Sequence, residues 1–313
     1  MRMNAFLHNL RLSVKRAFPS TVKTSFWLLK IMIPVSLCVS LLQYYGVIEI
    51  MARYIDPVFR HVGLPGSSAI AFLTGAFVTS YAGMAVMLSM VLTLRQATII
   101  SLMICLCHAL PMESAVARKT GSSFVRMSLI RIVMAFVCAF YLNAVLPENA
   151  EPFGIAVHSL QNITVWNMLA GWTLSSLKLS VMIFLIIFGL MIVQRLMEAY
   201  NLIPRLSRPL RPLMKIFGLP EDSSYMWLVG NVLGISYGCA VMTDLEERGV
   251  ITREEANDVN YHLIMNHSLI EDTCVFAAIG ISAFWIVSTR VLFALIVVWG
   301  RKALRRLIAI AAR

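Results

Sequence analysis

The tripeptide Gly-Leu-Pro occurs twice, at Gly63-Leu64-Pro65 and at Gly218-Leu219-Pro220. The two copies are offset by 218 − 63 = 155 residues. At that offset, without gaps, residues 57–87 and 212–242 share eleven identities in thirty-one positions, among them Pro57/Pro212, Gly75/Gly230, Gly83/Gly238 and the run Ala85-Val86-Met87 against Ala240-Val241-Met242. A common apolar composition yields a few chance matches, but it does not put prolines and three glycines in register. The likeness resumes at an offset of 267 − 108 = 159, where Cys107–Ser114 aligns with Asn266–Thr273 and Gly121 with Gly280. The second copy has gained its extra residues in the polar stretch after Asp244. The chain therefore has to fold as two copies of one unit. Such internal duplication is frequent in secondary transporters.

Composition decides the solvent. Hydrophobic residues make up 59% of the chain and charged residues only 14%, against about half and a quarter in soluble domains. This is the composition of an integral membrane protein. The excess of 27 Lys+Arg over 16 Asp+Glu is then a topogenic signal rather than a nucleic-acid surface. The basic N-terminal stretch leads into further apolar sequence and not into a cleavage site, so it does not read as a signal peptide. The six cysteines sit in apolar stretches with no CxxC spacing and read as small core hydrophobes. Runs at about 25–45, 97–117, 124–146, 174–197, 255–277 and 281–300 are long enough to span a bilayer, which takes roughly 20 residues. Two further apolar stretches, 67–94 and 223–244, come after the Gly-Leu-Pro motifs.

Charge placement chooses how those two stretches run. Cations cluster in the N-terminal segment, after residue 117, between Arg195 and Lys215, and from Arg301 onward, whereas the linker Leu146–Pro152 is acidic and lacks cations. If 67–94 and 223–244 were full spans, the basic 205–215 segment would lie opposite the basic N-terminus, against the positive-inside rule. If each is a re-entrant helical hairpin, three spans precede the linker and three come after it. All the basic clusters then fall on the cytoplasmic side, and the halves are inverted because three is odd. Thr79–Gly83 and Gly234–Gly238 lie near the middles of the two stretches, where small and flexible residues can break a helix. Ser67, Ser68, Asp222 and Ser223 are the expected caps of the descending arms. The amphipathic pieces before each Gly-Leu-Pro, and the N-terminal segment, read as interfacial helices.

Ser80, Tyr81 and Gly83, with Asn231, Gly234, Ser236, Tyr237 and Gly238, are the candidate substrate contacts, because unwound backbone and half-helix ends at mid-depth hold transported solutes. His108, Glu113, His267, Glu271 and Asp272 are the candidate polar or ion-coupling centre. Ionisable groups within spans are costly to bury and are usually functional. His267 and Glu271 are four residues apart, on one helix face.

The doubled Gly-Leu-Pro openings, the glycine-broken stretches and "NHSLIEDT" resemble the Gate, or nucleoside-recognition, domain. That domain is shared by concentrative nucleoside transporters, the membrane part of the bacterial ferrous-iron transporter and spore maturation proteins A and B. The resemblance implies an all-α polytopic membrane protein of two inverted Gate-type repeats, each with about three transmembrane helices and a re-entrant hairpin. The expected layout is a cytoplasmic amphipathic segment at 1–23, repeats at 24–146 and 173–300, a periplasmic linker at 147–172 and a basic cytoplasmic tail at 301–313. The resemblance also implies a bacterial inner-membrane secondary transporter for a small, nucleoside-like or other organic solute, coupled to H⁺ or Na⁺. A divalent-ion permease and a non-transporting scaffold remain as alternatives, and homo-oligomerisation is left open. The partners expected are the lipid bilayer and a small-molecule or ion ligand, with no nucleic acid and no cofactor. No GxxxxGK[ST], HExxH or GxSxG is present, so neither nucleotide hydrolysis nor an enzymatic role is expected.

Overall fold

The computed structural model describes residues 2–153 and 164–311, with the side chains of residues 2–6, 48–49 and 51–52 set aside. Residues 154–163, at the centre of the 147–172 linker, lie outside the described residues. The described chain is nearly all helical. It divides into two compact units, Met1–Ala109, Ala135–Leu196 and Cys274–Ser282 in the first, and Leu110–Met134, Met197–Thr273 and Ala283–Arg313 in the second.

Unit 1 begins with α1, Arg2–Tyr44, a single helix that runs through the boundary expected near residue 23. Helix α2, Val47–Arg60, then ends at the first Gly-Leu-Pro. Gly63 has φ +75°, its N–H donates to Arg60 O, and the Leu64 N–H reaches back to Phe59 O. This is a Schellman cap, which requires the left-handed residue that glycine supplies, and proline comes next because the helix cannot continue. In unit 2, α9 (Leu202–Ser207), a 3-10 turn over Arg208–Leu210, and α10 (Arg211–Ile216) end in the same way. Gly218 has φ +70°, with Gly218 N–H to Lys215 O and Leu219 N–H to Met214 O. The repeated tripeptide is thus a helix stop written twice.

The expected caps behave differently. Ser67 and Ser223 make no capping hydrogen bond, because the turn after each proline is already helical and its N–H groups are taken by Pro65, Gly66 and Pro220 carbonyls. The Gly66 N–H is satisfied instead by Asp56 Oδ1 of α2, at 3.0 Å.

Each difficult stretch is two helices. In unit 1 these are α3, Ser68–Phe77, and α4, Ser80–Leu88. The break is made by Thr79, whose extended backbone and side-chain bond to the Ala82 N–H restart the helix. In unit 2 they are α11, Ser224–Leu233, and α12, Ile235–Glu247, parted by Gly234 at φ +92°. The arms fold back on one another. A Cβ on Gly83 would sit 2.8 Å from Gly75 Cα and 3.0 Å from Ala71 O, and one on Gly238 would sit 3.1 Å from Gly230 Cα. Only facing glycines permit backbones that close, and small residues are how helices pack without a hydrophobic drive.

The helices after each folded-back pair also match between the halves. Helices α5 (Leu94–Cys107), α6 (Leu110–Lys119) and α7 (Phe124–Val145) recur at 253 − 94 = 159 residues as α13 (Arg253–Asn266), α14 (Leu269–Ala278) and the start of α15 (Ala283–Ala311). The same signals set the bounds in both copies. Capping boxes start them, Thr93 with Gln96 and Thr252 with Glu255. Left-handed residues interrupt them, Ala109 at φ +44° and Ser268 at φ +52°. Each interrupting N–H is caught by a hairpin glycine, Ala109 by Gly75 O and Ser268 by Gly230 O. The remaining long helix is α8, Val165–Ala199. In unit 1 a short strand, β1 (Leu92–Thr93), pairs antiparallel with β2 (Pro152–Phe153).

Among the described residues, five helices are long and apolar enough to cross a membrane: Leu7–Tyr44, Leu94–Lys119, Phe124–Val145, Val165–Ala199 and Ala283–Ala311. The chain is a membrane protein, and Trp166, Leu177, Leu185, Val133 and Phe284 are large apolar side chains exposed on these helices, as contact with a bilayer requires. The sixth span expected from the sequence, 255–277, is helical but not among the five. It is α13 and α14, broken at His267–Ser268 and carrying Asp258, Glu271 and Asp272. In unit 1 the core is α5, with Ile99, Ile100, Leu102 and Met103 fully buried. In unit 2 it is α13, whose buried face includes Asn260, His262 and Asn266 beside Leu263 and Met265.

Candidate functional site

The polar centre assembles in unit 2 at the break between α13 and α14. His267 closes α13 and is 1% exposed. Its Nδ1 lies 2.7 Å from Leu263 O. A carbonyl oxygen only accepts, so Nδ1 carries a proton. Its Nε2 lies 3.1 Å from Glu113 Oε1, on the first turn of α6. The other carboxylate oxygen, Glu113 Oε2, is 2.7 Å from Arg131 Nη1 on α7. Arg131 is fully buried. It belongs to the cations after residue 117 that the charge argument put on the cytoplasmic side, whereas it lies inside α7 and neutralises an acid there.

A second pair sits beside the first. Arg290 of α15, also fully buried, donates from Nη1 to Asp272 Oδ2 at 2.7 Å. Its Nε donates to Met265 O at 3.0 Å, and its Nη2 to His267 O at 2.5 Å. Arg290 therefore ties down the frayed end of α13 as well as the acid. The two pairs are one motif repeated, since Glu113 to Asp272 and Arg131 to Arg290 are both 159 residues. Asp272, not Glu271, is the repeat partner of Glu113, and Glu271 lies half-buried on α14 outside this ion pair. Each guanidinium compensates a buried carboxylate, which alone makes such charges tolerable in an apolar surround.

The other expected residues are placed by their own elements. His108 ends α5 in unit 1, with Nδ1 near Ile104 O and Cys105 O at 3.2 and 3.1 Å. Ser80 and Tyr81 open α4 and are buried, and Gly83 is the close-packing glycine described above. Asn231 is buried on α11, where its Nδ2 donates to Trp227 O at 2.9 Å, while its Oδ1 has no hydrogen-bond partner among the described residues. Gly234 forms the α11–α12 break and Gly238 packs on Gly230. Ser236 and Tyr237 lie on the first turn of α12, with Tyr237 57% accessible.

Sequence reasoning missed a set of polar partners in unit 2. Trp227 Nε1 donates to His262 Nδ1 at 3.0 Å, and Phe217 stacks at a tilt on the same imidazole, 4.5 Å between centroids. Asn266, one turn along α13, is fully buried. Among the described residues, His262 Nε2 and Asn266 Nδ2 lack hydrogen-bond partners, as does Asn231 Oδ1. Asn260 Nδ2 bridges α13 to the α6–α7 turn through Thr120 Oγ1 at 2.7 Å and Ser122 Oγ at 2.9 Å.

The family described as "Gate: Nucleoside recognition" matches residues 25–124. A relative from Bacillus subtilis (strain 168), described as "Uncharacterized membrane protein YvoD", is 31% identical over 273 residues, covering 86% of this chain and 87% of that protein. The chain belongs to the Gate family. No solved structure matches it. The Gate match spans α3, α4, α5 and α6, so it takes in Ser80, Tyr81, Gly83, His108 and Glu113. The second half of this Gate protein carries Asp272 and Arg290 in the places of Glu113 and Arg131. An arginine at the same offset in two apolar runs was the signal that could have revealed both pairs.

Proposed function

We propose that the protein is a secondary transporter of a small organic solute in the bacterial cytoplasmic membrane, coupled to H⁺ or Na⁺. The observation that carries the reading is the pair of broken helices, α3–α4 and α11–α12, each folded back on itself and each latched to a second break by one backbone hydrogen bond. Discontinuous helices supply free backbone groups and dipole ends in apolar surroundings, and transporters bind solutes there. In this reading the folded-back pairs are re-entrant hairpins, and α13–α14 is a sixth span. The two halves are then inverted three-span repeats with both termini cytoplasmic and the linker outside.

The halves differ where a ligand needs them to differ. The repeat positions of Asn231, His262 and Asn266 are Ala76, Met103 and Cys107. The ion pairs, glycine contacts and capping boxes occur in both halves and serve the scaffold. The buried side chains of Asn231, His262 and Asn266 have no amide or imidazole at their repeat positions, and among the described residues each has a hydrogen-bonding atom unspent. They are the groups that take the solute, and Asn231 is the member also expected from the sequence. A thermal-shift screen of the purified protein against nucleosides, amino acids, Na⁺, Fe²⁺, Mg²⁺ and Zn²⁺ tests the assignment, because a ligand of the native state raises its melting temperature. A nucleoside or related polar solute is expected to stabilise the parent and not Asn231→Ala. Stabilisation by a divalent ion alone would overturn the solute assignment.

A further inference from the structure

We propose that the end of α15, Arg301–Ala311, is a docking surface for anionic phospholipid. Within unit 2, α15 runs for 29 residues, about 43 Å at 1.5 Å per residue, whereas an upright crossing of the hydrocarbon core takes roughly 30 Å. The surplus carries Arg301, Lys302, Arg305 and Arg306. These form two rows, each of residues four apart and so on one helix face. The Arg301–Arg305 row is spent on α13. Arg301 pairs with Asp258 and stands 4.0 Å over the Tyr261 ring, and Arg305 Nη1 lies 2.7 Å from Glu254 Oε1. The Lys302–Arg306 row is not spent. Among the described residues neither side chain makes an ion pair. Lys302 Nζ lies 5.3 Å over the Trp299 ring of its own helix, and Arg306 is exposed.

The same turns expose Leu304, Leu307, Ile308 and Ile310. At about 100° per residue, the four cations fall within one side of the helix and these four apolar residues within the other. Such a division suits a bilayer interface, where acyl chains take the apolar side and phosphates take the cations. An acidic soluble partner satisfies the cations but leaves the apolar side in water. A second copy docked through the same face sets cation against cation.

Trp299 sets the level of this surface. Its Nε1 donates to Ile216 O at the end of α10, at 3.0 Å, and a Cβ on Gly218 would meet Val298 and Trp299 at 3.2 Å. The amphipathic α9–α10 segment therefore ends against α15 just where the cations begin, and tryptophan is the residue favoured at headgroup depth. In that segment Arg211 and Lys215 are paired with Asp222 and Glu221. Arg205 and Arg208 have no acidic partner among the described residues, and Leu206 and Ile216 are exposed. Two neighbouring segments thus present the same combination, unspent cations beside exposed apolar side chains. A zwitterionic lipid offers the acyl chains without net negative charge, so the surface selects by headgroup. It does not depend on what the protein transports.

Hydrogen exchange of the full chain in lipid nanodiscs tests it. Discs of zwitterionic phosphatidylcholine are compared with discs in which part of that lipid is replaced by anionic phosphatidylglycerol, with a peptide from α5 as reference. Exchange of a peptide covering 300–311 should slow about fivefold or more in the anionic discs, the scale for one cation at an anionic surface, with the α5 peptide unchanged. Lys302→Gln with Arg306→Gln removes two side chains that make no ion pair, so the fold is kept and the slowing should be lost. Inorganic phosphate added to phosphatidylcholine discs should not reproduce the slowing, because it brings no acyl chains. Equal exchange of 300–311 in the two kinds of disc overturns the proposal, whether or not the variant folds. Slowing that the folded double variant keeps, or that inorganic phosphate reproduces in full, also overturns it. Slowing that follows the number of chains per disc and not the lipid charge would make a second copy the occupant, and overturns it as well.

Discussion

Arg290→Met removes a cation from a fully buried position and leaves Asp272, itself 4% exposed, as an uncompensated charge. Breaking a buried pair from one side costs about 3–5 kcal/mol. The substitution also strips the Met265 and His267 carbonyls of their donor, at about 1 kcal/mol each. The sum, roughly 5–7 kcal/mol, is a large part of the 5–15 kcal/mol that typically separates folded from unfolded states. Arg290→Met with Asp272→Asn removes both charges. It should recover about 3 kcal/mol or more, because the buried carboxylate is gone, and retain a deficit of about 2 kcal/mol from the two carbonyls. Arg131→Met, which strips Glu113 of its guanidinium, should cost about 3–5 kcal/mol by the same argument. Guanidinium titration in detergent micelles, read by tryptophan fluorescence, gives the differences as shifts in midpoint. A double variant no more stable than the single one would refute the reasoning. The cost would then lie in shape and not in the unpaired charge.

The same geometry sets three further outcomes. Gly83→Ala should destabilise by about 1–3 kcal/mol, as overpacking does, because its Cβ meets Gly75 Cα at 2.8 Å. Gly238→Ala at 3.1 Å should cost less, and Gly171→Ala, with nothing within 4 Å, should cost nothing to packing in the same titration. On the exposed surface after α10, the hydrogen bond and charge of Lys215 hold the Glu221 carboxyl below its usual range, and Glu221 in turn raises the Lys215 ammonium. A depressed acid contributes only above its unfolded pKa and a raised base only below its own, so this pair acts between about pH 4.3 and 10.4. Being solvated, it is worth little, and Lys215→Ala should leave the melting temperature unchanged across that window. Reporter fusions at Pro147 and after Arg313 should report opposite sides of the membrane. The same side would exclude the inverted arrangement.

The parts of this fold that were legible in the sequence are those written in backbone chemistry. Gly63 and Gly218 stand out because a left-handed helix stop with proline after it admits few other residues. Gly75, Gly83, Gly230 and Gly238 do so because two backbones in contact leave no room for a Cβ. The breaks near residues 79 and 234 could be placed from those same glycines. Side-chain partnership was less visible. Glu271 looked attractive because it stands four residues after His267, on one face of an unbroken helix, but the helix breaks between them, at Ser268. The i, i+4 rule therefore does not apply across the elbow, and the next residue, Asp272, pairs with Arg290 instead. Arg131 was hidden for a related reason. Counting cations to orient a membrane chain treats each arginine as solvated, and a buried arginine paired with an acid from another helix contributes nothing to that count. Its repeat partner Arg290 could have exposed it. An arginine that recurs 159 residues on in a second apolar run, at the offset that also pairs Glu113 with Asp272, is hard to explain as topology and simple to explain as an ion pair made twice.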